Sequence, residues 1–300
     1  MGRVFVAGSI NMDVVATAER HPRVGETVAG TQVLYFPGGK GANQAVAAAR
    51  LGGQVSFLCK LGDDLFGRQS LAGFQQENID TSYAILEPGI ASGVALITVN
   101  RHGENNIVVA SGANGVLSPR EIDRAHPAFE AAGIVLLQLE TPLPTVEHAI
   151  QKAADMGKKV ILNPAPAQAL SAETYRRLFL ITPNETEAAL LAGIEVNDLD
   201  SAGLAAGALL EKGVRNVIIT LGAQGALFRN VETSLLISPP VVTPVDTTAA
   251  GDVFNGALTV ALAEGQGWES AIDFACRAAA VSVTRMGAQA SAPHRHELGS

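Results

Sequence analysis

The residues most suggestive of chemistry lie at 246–252, where the sequence DTTAAGD runs directly into an apolar pattern with helical spacing. Ala249, Ala250 and Gly251 carry little or no side chain, so their backbone N–H groups can approach an anion at the positive end of a helix dipole. Asp252 would repel a phosphate, but it could receive the proton of an attacking hydroxyl. An ordinary capped helix with Asp in its first turn fits the bare pattern equally well.

A second stretch, GGKGANQAVAA at 38–48, places glycines ahead of an alanine-rich helical pattern. Glycine lets the backbone close around a ligand, and Asn43 in the first turn could both donate to and accept from sugar hydroxyls. The simpler alternative is a flexible turn before a closely packed helix. The stretch is not a Walker A loop, because no Ser or Thr follows Lys40 and no glycine stands five residues before Gly39.

The end of the first predicted strand carries Asn11 and Asp13 in the sequence GSINMD. In an extended chain, side chains two residues apart point to the same side. An amide and a carboxylate placed side by side suit bidentate recognition of vicinal hydroxyl groups. This pair therefore favours a sugar with free vicinal hydroxyls as the ligand.

Alternating apolar runs and amphipathic stretches predict the elements that position these residues. Buried strands are predicted at 133–139, 159–163, 178–182 and 216–221, and helices at 144–156, 185–192 and 202–212. Such repetition is typical of right-handed crossovers that build a parallel sheet, which binds ligands beyond the carboxyl ends of its strands. Glu140, Asn163, Asn184 and Thr220 follow those ends, although each alone is more simply explained as a strand terminator.

Two segments, about 13–36 and 91–110, contain β-type runs without intervening helices. They predict a small sheet that stands off the main layer as a lid. Its exposed edge would need to be covered by closure over substrate or by a second subunit.

The composition fits one large α/β domain over 1–300, since 47% of the residues are hydrophobic and only 17% are charged. With 21 basic and 29 acidic residues the formal charge is −8, which disfavours nucleic acid and anionic membranes as partners. Cys59 and Cys276 indicate neither a disulfide framework nor a zinc site, and the six histidines are too scattered for a metal site. The first residues show no signal peptide or membrane span, so we expect a cytoplasmic protein.

Eight motifs occur in an order and spacing that span nearly the whole chain: GSINMD, GGKGANQAVAAARLG, LQLE, NPAP, TPNETE, TLGAQG, DTTAAGDVFNGAL and VTRMGAQ. Together they resemble those of the ribokinase-like (PfkB) carbohydrate kinases. The resemblance implies a three-layer α/β/α sandwich with a mostly parallel central sheet plus a small β-sheet lid. It also implies ATP-dependent phosphorylation of the primary (O5) hydroxyl of D-ribose, with Mg²⁺, an activating K⁺ and a homodimer formed through the lid.

The same resemblance implies the site residues. The catalytic group would be Asp252 with the backbone N–H groups of Ala249, Ala250 and Gly251. The sugar contacts would be Asn11, Asp13, Gly39, Lys40, Asn43, Glu140 and Asp252. The nucleotide contacts would be Asn184, Thr220, Gly222, Gly225, Gly251 and Cys276, with Glu187 organising magnesium and phosphate through water. The K⁺ loops would comprise Asp246, Thr248, Ser282, Arg285, Gly287 and Ser291, acting mainly through backbone carbonyls.

Several alternatives stay open at this point. A kinase for deoxyribose, fructose, a keto-deoxy sugar acid or a nucleoside would share the ATP half and differ in the sugar pocket. A non-catalytic sugar- or nucleotide-binding regulator is disfavoured, because a binder gains nothing from a carboxylate facing phosphate. An NAD-dependent oxidoreductase lacks its glycine fingerprint after the first strand.

Overall fold

The computed structural model describes residues 2–299. Its strands are β1 (Arg3–Ala7), β2 (Asn11–Ala18), β3 (Gly30–Gly38), β4 (Gln54–Gly62), β5 (Ala84–Glu87), β6 (Gly93–Val99), β7 (Asn105–Ala110), β8 (Ile134–Leu137), β9 (Lys159–Leu162), β10 (Leu180–Ile181), β11 (Val217–Thr220), β12 (Ala226–Arg229) and β13 (Ser234–Ile237). Its α-helices are α1 (Lys40–Arg50), α2 (Leu65–Gln76), α3 (Pro119–Arg124), α4 (His126–Ala131), α5 (Leu143–Asp155), α6 (Ala172–Arg177), α7 (Glu185–Ala192), α8 (Leu199–Glu211), α9 (Ala250–Ala263) and α10 (Trp268–Ser282).

The main sheet has nine strands within the described residues, in the order β13-β12-β11-β10-β9-β8-β1-β4-β5. Neighbours from β5 to β11 run parallel, whereas β12 and β13 form an antiparallel edge. The four strands predicted between 133 and 221 are β8 to β11, each somewhat shorter than predicted, and the three predicted helices are α5, α7 and α8. The mostly parallel sheet is thereby confirmed.

Two cores lie on opposite faces of this sheet, because successive residues of a strand point to opposite sides. On β1, Val4 and Val6 pack with residues of α1, α2, α9 and α10. Phe5, between them, packs with residues of α3 to α8 and lies 4.4 Å from Phe129, centroid to centroid. The result is the expected three-layer α/β/α sandwich. Truncating a buried ring such as Phe5 to alanine would cost about 3–5 kcal/mol.

The described residues 2–299 also form a separate sheet of four strands, in the order β3-β2-β6-β7. β2 pairs antiparallel with β3 and parallel with β6, and β6 pairs antiparallel with β7. These strands overlap the two segments for which a small sheet was predicted. Several of its apolar side chains are exposed: Val33, Tyr35, Leu96, Ile107, Val108 and Val109.

The predicted single domain of 1–300 includes Met1 and Ser300, which lie outside the described residues. Among the helices of residues 2–299, none combines the length and apolarity that crossing a membrane requires.

Candidate active site

The polar residues predicted at the strand ends gather along one edge of the main sheet. β1, β8, β9, β10 and β11 are consecutive in the parallel part of the sheet, so their carboxyl ends meet there. Glu140 follows β8, Asn163 follows β9, and Asn184 forms an isolated parallel bridge with Thr220 at the end of β11. The first turn of α9, which carries Asp252, comes to the same edge through its contacts with α1.

Asp252 is 5% exposed and is held by two side chains of α1. Asn43 Nδ2 donates to its Oδ2 at 2.9 Å, and Gln44 Nε2 donates to its Oδ1 at 2.9 Å. Burial raises the pKa of this carboxyl, whereas Lys40 and the two amide donors lower it and Glu140 raises it further. The carboxylate is thus buried, yet fully supplied with partners for its charged form.

The turn before Asp252 has an unusual backbone. Ala249, the N-cap of α9, adopts a left-handed conformation with φ 60° and ψ 11°, which costs a non-glycine residue on the order of 1 kcal/mol. The Ala250 N–H donates to the Thr247 carbonyl at 3.3 Å. Gly251 is exposed, and a Cβ added there would meet open space. The first-turn N–H groups of α9 therefore lie at an accessible helix end, as predicted for an anion-binding turn.

The sugar-contact residues expected on β2 are Asn11 and Asp13. Asn11 is buried, and its Oδ1 accepts a hydrogen bond from Asn114 Nδ2 at 2.9 Å. Burial raises the pKa of Asp13 to about 6, and the charges of Glu140 and Asp252 add to the effect. The carboxylates of Asp13, Glu140 and Asp252 therefore lie close enough for their charges to act on one another.

Glu140 joins β1 to the glycine-rich turn. Its Oε2 accepts from Ser9 Oγ at 2.6 Å and from the Lys40 N–H at 3.0 Å. Gly39 has φ 88°, and a Cβ there would stand 2.6 Å from the Asn11 nitrogen. Only glycine fits this close backbone approach.

The Lys40 ammonium stands among the acidic side chains of the cleft. Burial alone would lower its pKa, but Asp252, Glu140 and Glu187 raise it, so the ammonium stays charged. This places one fixed positive charge between residues expected at the sugar and a residue expected at the phosphates.

A cavity of about 480 Å³ adjoins the first turn of α9. It is lined by all the predicted nucleotide contacts except Glu187, namely Asn184, Thr220, Gly222, Gly225, Gly251 and Cys276. Its walls include Pro239, Val241, Val242 and Val283, which suit a flat apolar ring. Burial raises the pKa of the Cys276 thiol to about 12, so this side chain acts by shape and not as a thiolate.

Glu187 caps its own helix. Its backbone N–H donates to Asn184 Oδ1 at 2.8 Å, and its Oε2 accepts from the Asn184 N–H at 3.0 Å. Burial raises the pKa of Glu187, while that hydrogen bond and Lys40 lower it and Asp252 raises it. The Glu187 carboxylate thus interacts with the charges of Lys40 and Asp252, while its Oε2 remains hydrogen-bonded to the Asn184 N–H.

The two segments expected to bind K⁺ are joined by Asp246. Its Oδ1 accepts from the Thr248 N–H and its Oδ2 from the Gly287 N–H, each at 2.9 Å. The N–H groups of Val245 and Asp246 both donate to the Val283 carbonyl. Hydrogen bonds outweigh partial burial and lower the pKa of Asp246. With this carboxylate bound to backbone, a cation there would depend on carbonyl oxygens.

The remaining members of that set turn their side chains to other partners. Ser282 Oγ donates to the Ala279 carbonyl and Ser291 Oγ to the Ala288 carbonyl, each at 2.8 Å, and Arg285 forms an ion pair with Glu297 at 2.6 Å. Within residues 2–299, no group of three or more His, Cys, Asp or Glu side chains is arranged to hold a metal ion. The donor set that remains, main-chain oxygen, is one that fits a monovalent cation.

A larger cavity, of about 720 Å³, lies between β13 and α10 and includes Gln266, Asp273, Arg277 and Arg295 in its lining. None of the predicted site residues lines it, and its arginines are paired with Asp273 and Glu264. Size alone therefore does not identify the site, since the predicted nucleotide contacts line the smaller cavity.

Sequence reasoning missed three amides that support the cleft: Gln44, Gln138 and Asn114. Each is buried, and each binds a predicted site residue or its neighbour. The available indication was a polar residue inside an otherwise apolar run, as in LLQL for Gln138. Such a residue must find a partner when buried, but the sequence does not say which one.

The model of the pfkB family carbohydrate kinase matches residues 1–295. The chain is 46% identical over 292 residues to a ribokinase of Haemophilus influenzae, covering 97% of this chain and 95% of that protein. It is 38% identical over 291 residues to a deoxyribokinase of Salmonella typhi, with coverage of 97% and 95%. The structure of Arabidopsis thaliana ribokinase complexed with ribose and ATP aligns with a TM-score of 0.93 at 30% identity, covering 99% of this chain and 98% of that one. Sequence and fold agree along the whole chain, which belongs to the pfkB family of carbohydrate kinases.

Proposed function

We propose that this chain transfers the γ-phosphoryl group of ATP to the primary hydroxyl of D-ribose, giving ribose 5-phosphate and ADP. The observation that carries the proposal is the place of Asp252. It is a buried carboxylate in the first turn of α9, hydrogen-bonded to Asn43 and next in sequence to Gly251, which lines the 480 Å³ cavity. The relatives named ribokinase, one of them complexed with ribose and ATP, support the choice of both substrates.

The sugar would be held by Asn11, Asp13, Gly39, Lys40, Asn43 and Glu140. Asn43 Oδ1 is buried and has no hydrogen-bond partner in the described part of the chain. The bond from Asn43 Nδ2 to Asp252 fixes the orientation of this amide. Its Oδ1 is a hydrogen-bond acceptor, and a sugar hydroxyl could donate to it. A buried acceptor without a hydrogen-bond donor supports a ligand rich in hydroxyl groups next to Asn43.

Asp252 would take the proton from the O5 hydroxyl as O5 attacks the γ-phosphorus. The new O5–P bond forms while the bond from phosphorus to the bridging oxygen of ADP breaks, and ADP leaves with that electron pair. The N–H groups of Ala249 and Gly251 and the Lys40 ammonium would stabilise the charge on the transferring group. The Ala250 N–H, which donates to the Thr247 carbonyl, would join them on exchanging that partner for the phosphate. Base catalysis of this kind contributes about 10²–10⁴-fold in rate.

The nucleotide would occupy the 480 Å³ cavity, contacting Asn184, Thr220, Gly222, Gly225, Gly251 and Cys276. Mg²⁺ would arrive with the phosphates and neutralise part of their charge, with Glu187 orienting its water shell. K⁺ would be held by main-chain oxygens of Asp246, Thr248, Ser282, Arg285 and Gly287, with Ser291 alongside. Because Asp246 precedes the α9 turn by a few residues, a cation there fixes the direction of its N–H groups.

A homodimer through the small sheet is part of the proposal. The exposed apolar side chains on β3, β6 and β7, including Tyr35, Leu96 and Val108, form a surface that pairing of two copies would cover. Light scattering that gives a monomer mass at micromolar concentration would contradict this. A cytoplasmic location fits ATP as donor and two free, buried thiols.

The test is ADP release measured with ribose, deoxyribose, fructose, adenosine or no sugar, with and without K⁺. We expect release with ribose, strengthened by K⁺. Deoxyribose is the second candidate, because the deoxyribokinase of Salmonella typhi is 38% identical to this chain. Release with fructose or adenosine alone would overturn the choice of a pentose, and a higher kcat/KM for deoxyribose than for ribose would favour that alternative.

A further inference from the structure

A line of buried amides reaches Asp252 from the strand ends behind it. Gln44 Nε2 donates to Asp252 Oδ1 at 2.9 Å and to Asn163 Oδ1 at 3.0 Å. Asn163 Nδ2 donates to the backbone carbonyl of Thr182 at 3.1 Å, and Gln138 Nε2 donates to Gln44 Oε1 at 2.6 Å. We call Asn163 and Gln44 the amide relay; Gln138 contacts the relay from behind and is not part of it. All three side chains are buried.

The direction of this relay is fixed by its ends. The Thr182 carbonyl can only accept, so Asn163 must turn its Nδ2 there and its Oδ1 toward Gln44. Gln44 then donates one hydrogen of Nε2 to Asn163 and the other to Asp252. Reversing the Gln44 amide would set its oxygen against the acceptor oxygens of Asn163 and Asp252 and its NH₂ against that of Gln138. All three hydrogen bonds of the Gln44 side chain would be lost.

Each oxygen of the Asp252 carboxylate therefore faces an N–H donor. Gln44 covers Oδ1, and Asn43 covers Oδ2. A proton on either oxygen would meet a hydrogen instead of an acceptor, so these contacts favour the ionised form.

Most other influences on Asp252 work against ionisation. Burial is the largest, and the carboxylates Glu140, Asp13 and Glu187 face the same cleft. Lys40 is the one opposing charge among the described residues that act on it. The neutral amide donors Asn43 and Gln44 therefore help to stabilise the negative charge of Asp252 without a second positively charged side chain.

We propose that the amide relay is a positioning device for the reaction proposed above: it fixes Gln44 as a donor, which keeps Asp252 ionised and orients its carboxylate toward the sugar hydroxyl. The proposal rests on the proposed function for its reaction, and on the hydrogen bonds for its mechanism. Gln44 and Asn163 act through Asp252 and are positioning residues.

The test compares three neutral variants. Gln44→Met removes the donor to Asp252 at nearly the same side-chain length. Asn163→Leu removes the group that fixes the direction of Gln44. Gln138→Met removes only the bond to Gln44 Oε1, so Asn163 still sets the direction and this variant is the matched core control.

The first readout is kcat for ribose between about pH 5 and about pH 9. We expect the acid limb to move to higher pH by about one unit in Gln44→Met, the equivalent of one hydrogen bond to a charged group. Asn163→Leu should move it the same way by a smaller amount, and Gln138→Met should leave it in place. An unmoved limb in Gln44→Met, or an equal shift in Gln138→Met, would overturn the proposal.

The second readout does not depend on activity. Carbon-13 NMR of aspartate-labelled protein, with Asp252→Asn identifying the resonance, follows ionisation of Asp252 directly. We expect an ionised carboxylate at neutral pH in the unaltered chain, and a protonated one there would refute the proposal. If the unaltered chain releases no ADP with ribose, the proposed function fails, while the same titration compared between the unaltered chain and Gln44→Met still decides the role of the relay.

Discussion

Asp13→Asn should make the folded protein more stable while it weakens sugar binding. Burial raises the pKa of Asp13 from 3.8 to about 6, with Glu140 and Asp252 adding to the shift. The folded state thus binds this proton more tightly than the unfolded chain does. Stability from the protonated group is fully present below pH 3.8 and is lost as the pH rises through 6. An asparagine, always neutral, avoids that loss.

The size of the effect follows from the shift. A shift of about two pKa units at 1.36 kcal/mol each amounts to about 3 kcal/mol. The side chain is only partly buried, and solvent screening reduces the expected gain at pH 8 to about 1–2 kcal/mol. At pH 4.5 Asp13 is protonated in nearly all folded chains, whereas in most unfolded chains, with a pKa of 3.8, it has lost the proton. Only part of the ionisation penalty then acts on the parent, so the gain in the free energy of unfolding should shrink to roughly a third.

Urea unfolding at both pH values measures this difference. The control is Glu232→Gln, which removes one negative charge from an exposed turn and should change stability by less than about 0.5 kcal/mol. In parallel, KM for ribose should rise about tenfold to a hundredfold, since a charged acceptor is lost. An Asp13→Asn variant no more stable than the parent at pH 8, or stabilised equally at both pH values, would refute the reasoning.

Asp252→Asn should fold with an unchanged circular dichroism spectrum but lose about 10²–10⁴-fold in kcat, and turnover near that of the parent would rule out the general base. Replacing K⁺ by tetramethylammonium should lower turnover in the same assay, because a bulky ion cannot enter a loop closed by Asp246 on Thr248 and Gly287; equal rates would speak against the cation site. Gly39→Ala should destabilise the fold by at least about 1–3 kcal/mol, because φ is 88° and Cβ would lie 2.6 Å from the Asn11 nitrogen. Its matched control is Gly73→Ala on α2, where Cβ meets open space and the helix should gain up to about 1 kcal/mol; thermal unfolding compares the two.

Local pattern predicted the elements well, because period and turn chemistry are local properties. Strands β8 to β11 and helices α5, α7 and α8 lie where apolar spacing placed them. β10 was predicted too long: Leu178 is buried but lies outside the ladder, and only Leu180 and Ile181 pair with neighbouring strands. Burial and pairing are separate events, and an apolar run indicates only the first.

Some residues of the candidate site could be predicted from the local sequence, and others only from the family resemblance. The anion-binding turn, Asp252 and Asn43 followed from residue types in sequence, whereas the roles given to Asn184, Thr220 and the K⁺ loops came from resemblance. The Gln44–Asp252 bond joins residues 208 positions apart. No local pattern contains such a pairing, because it exists only once α1 and α9 pack side by side.

The small sheet is joined to the candidate site through its neighbouring strands β2 and β3. β2 starts at Asn11 and carries Asp13, and β3 ends at Gly38, immediately before Gly39 and the start of α1. A tilt of that sheet would move Asn11 and Asp13 relative to Asp252, because Asp252 belongs to α9 and not to the sheet. A tilt of the small sheet would thus change the distance from Asp252 to the sugar contacts of β2, so the full set of contacts would exist in only one position of that sheet.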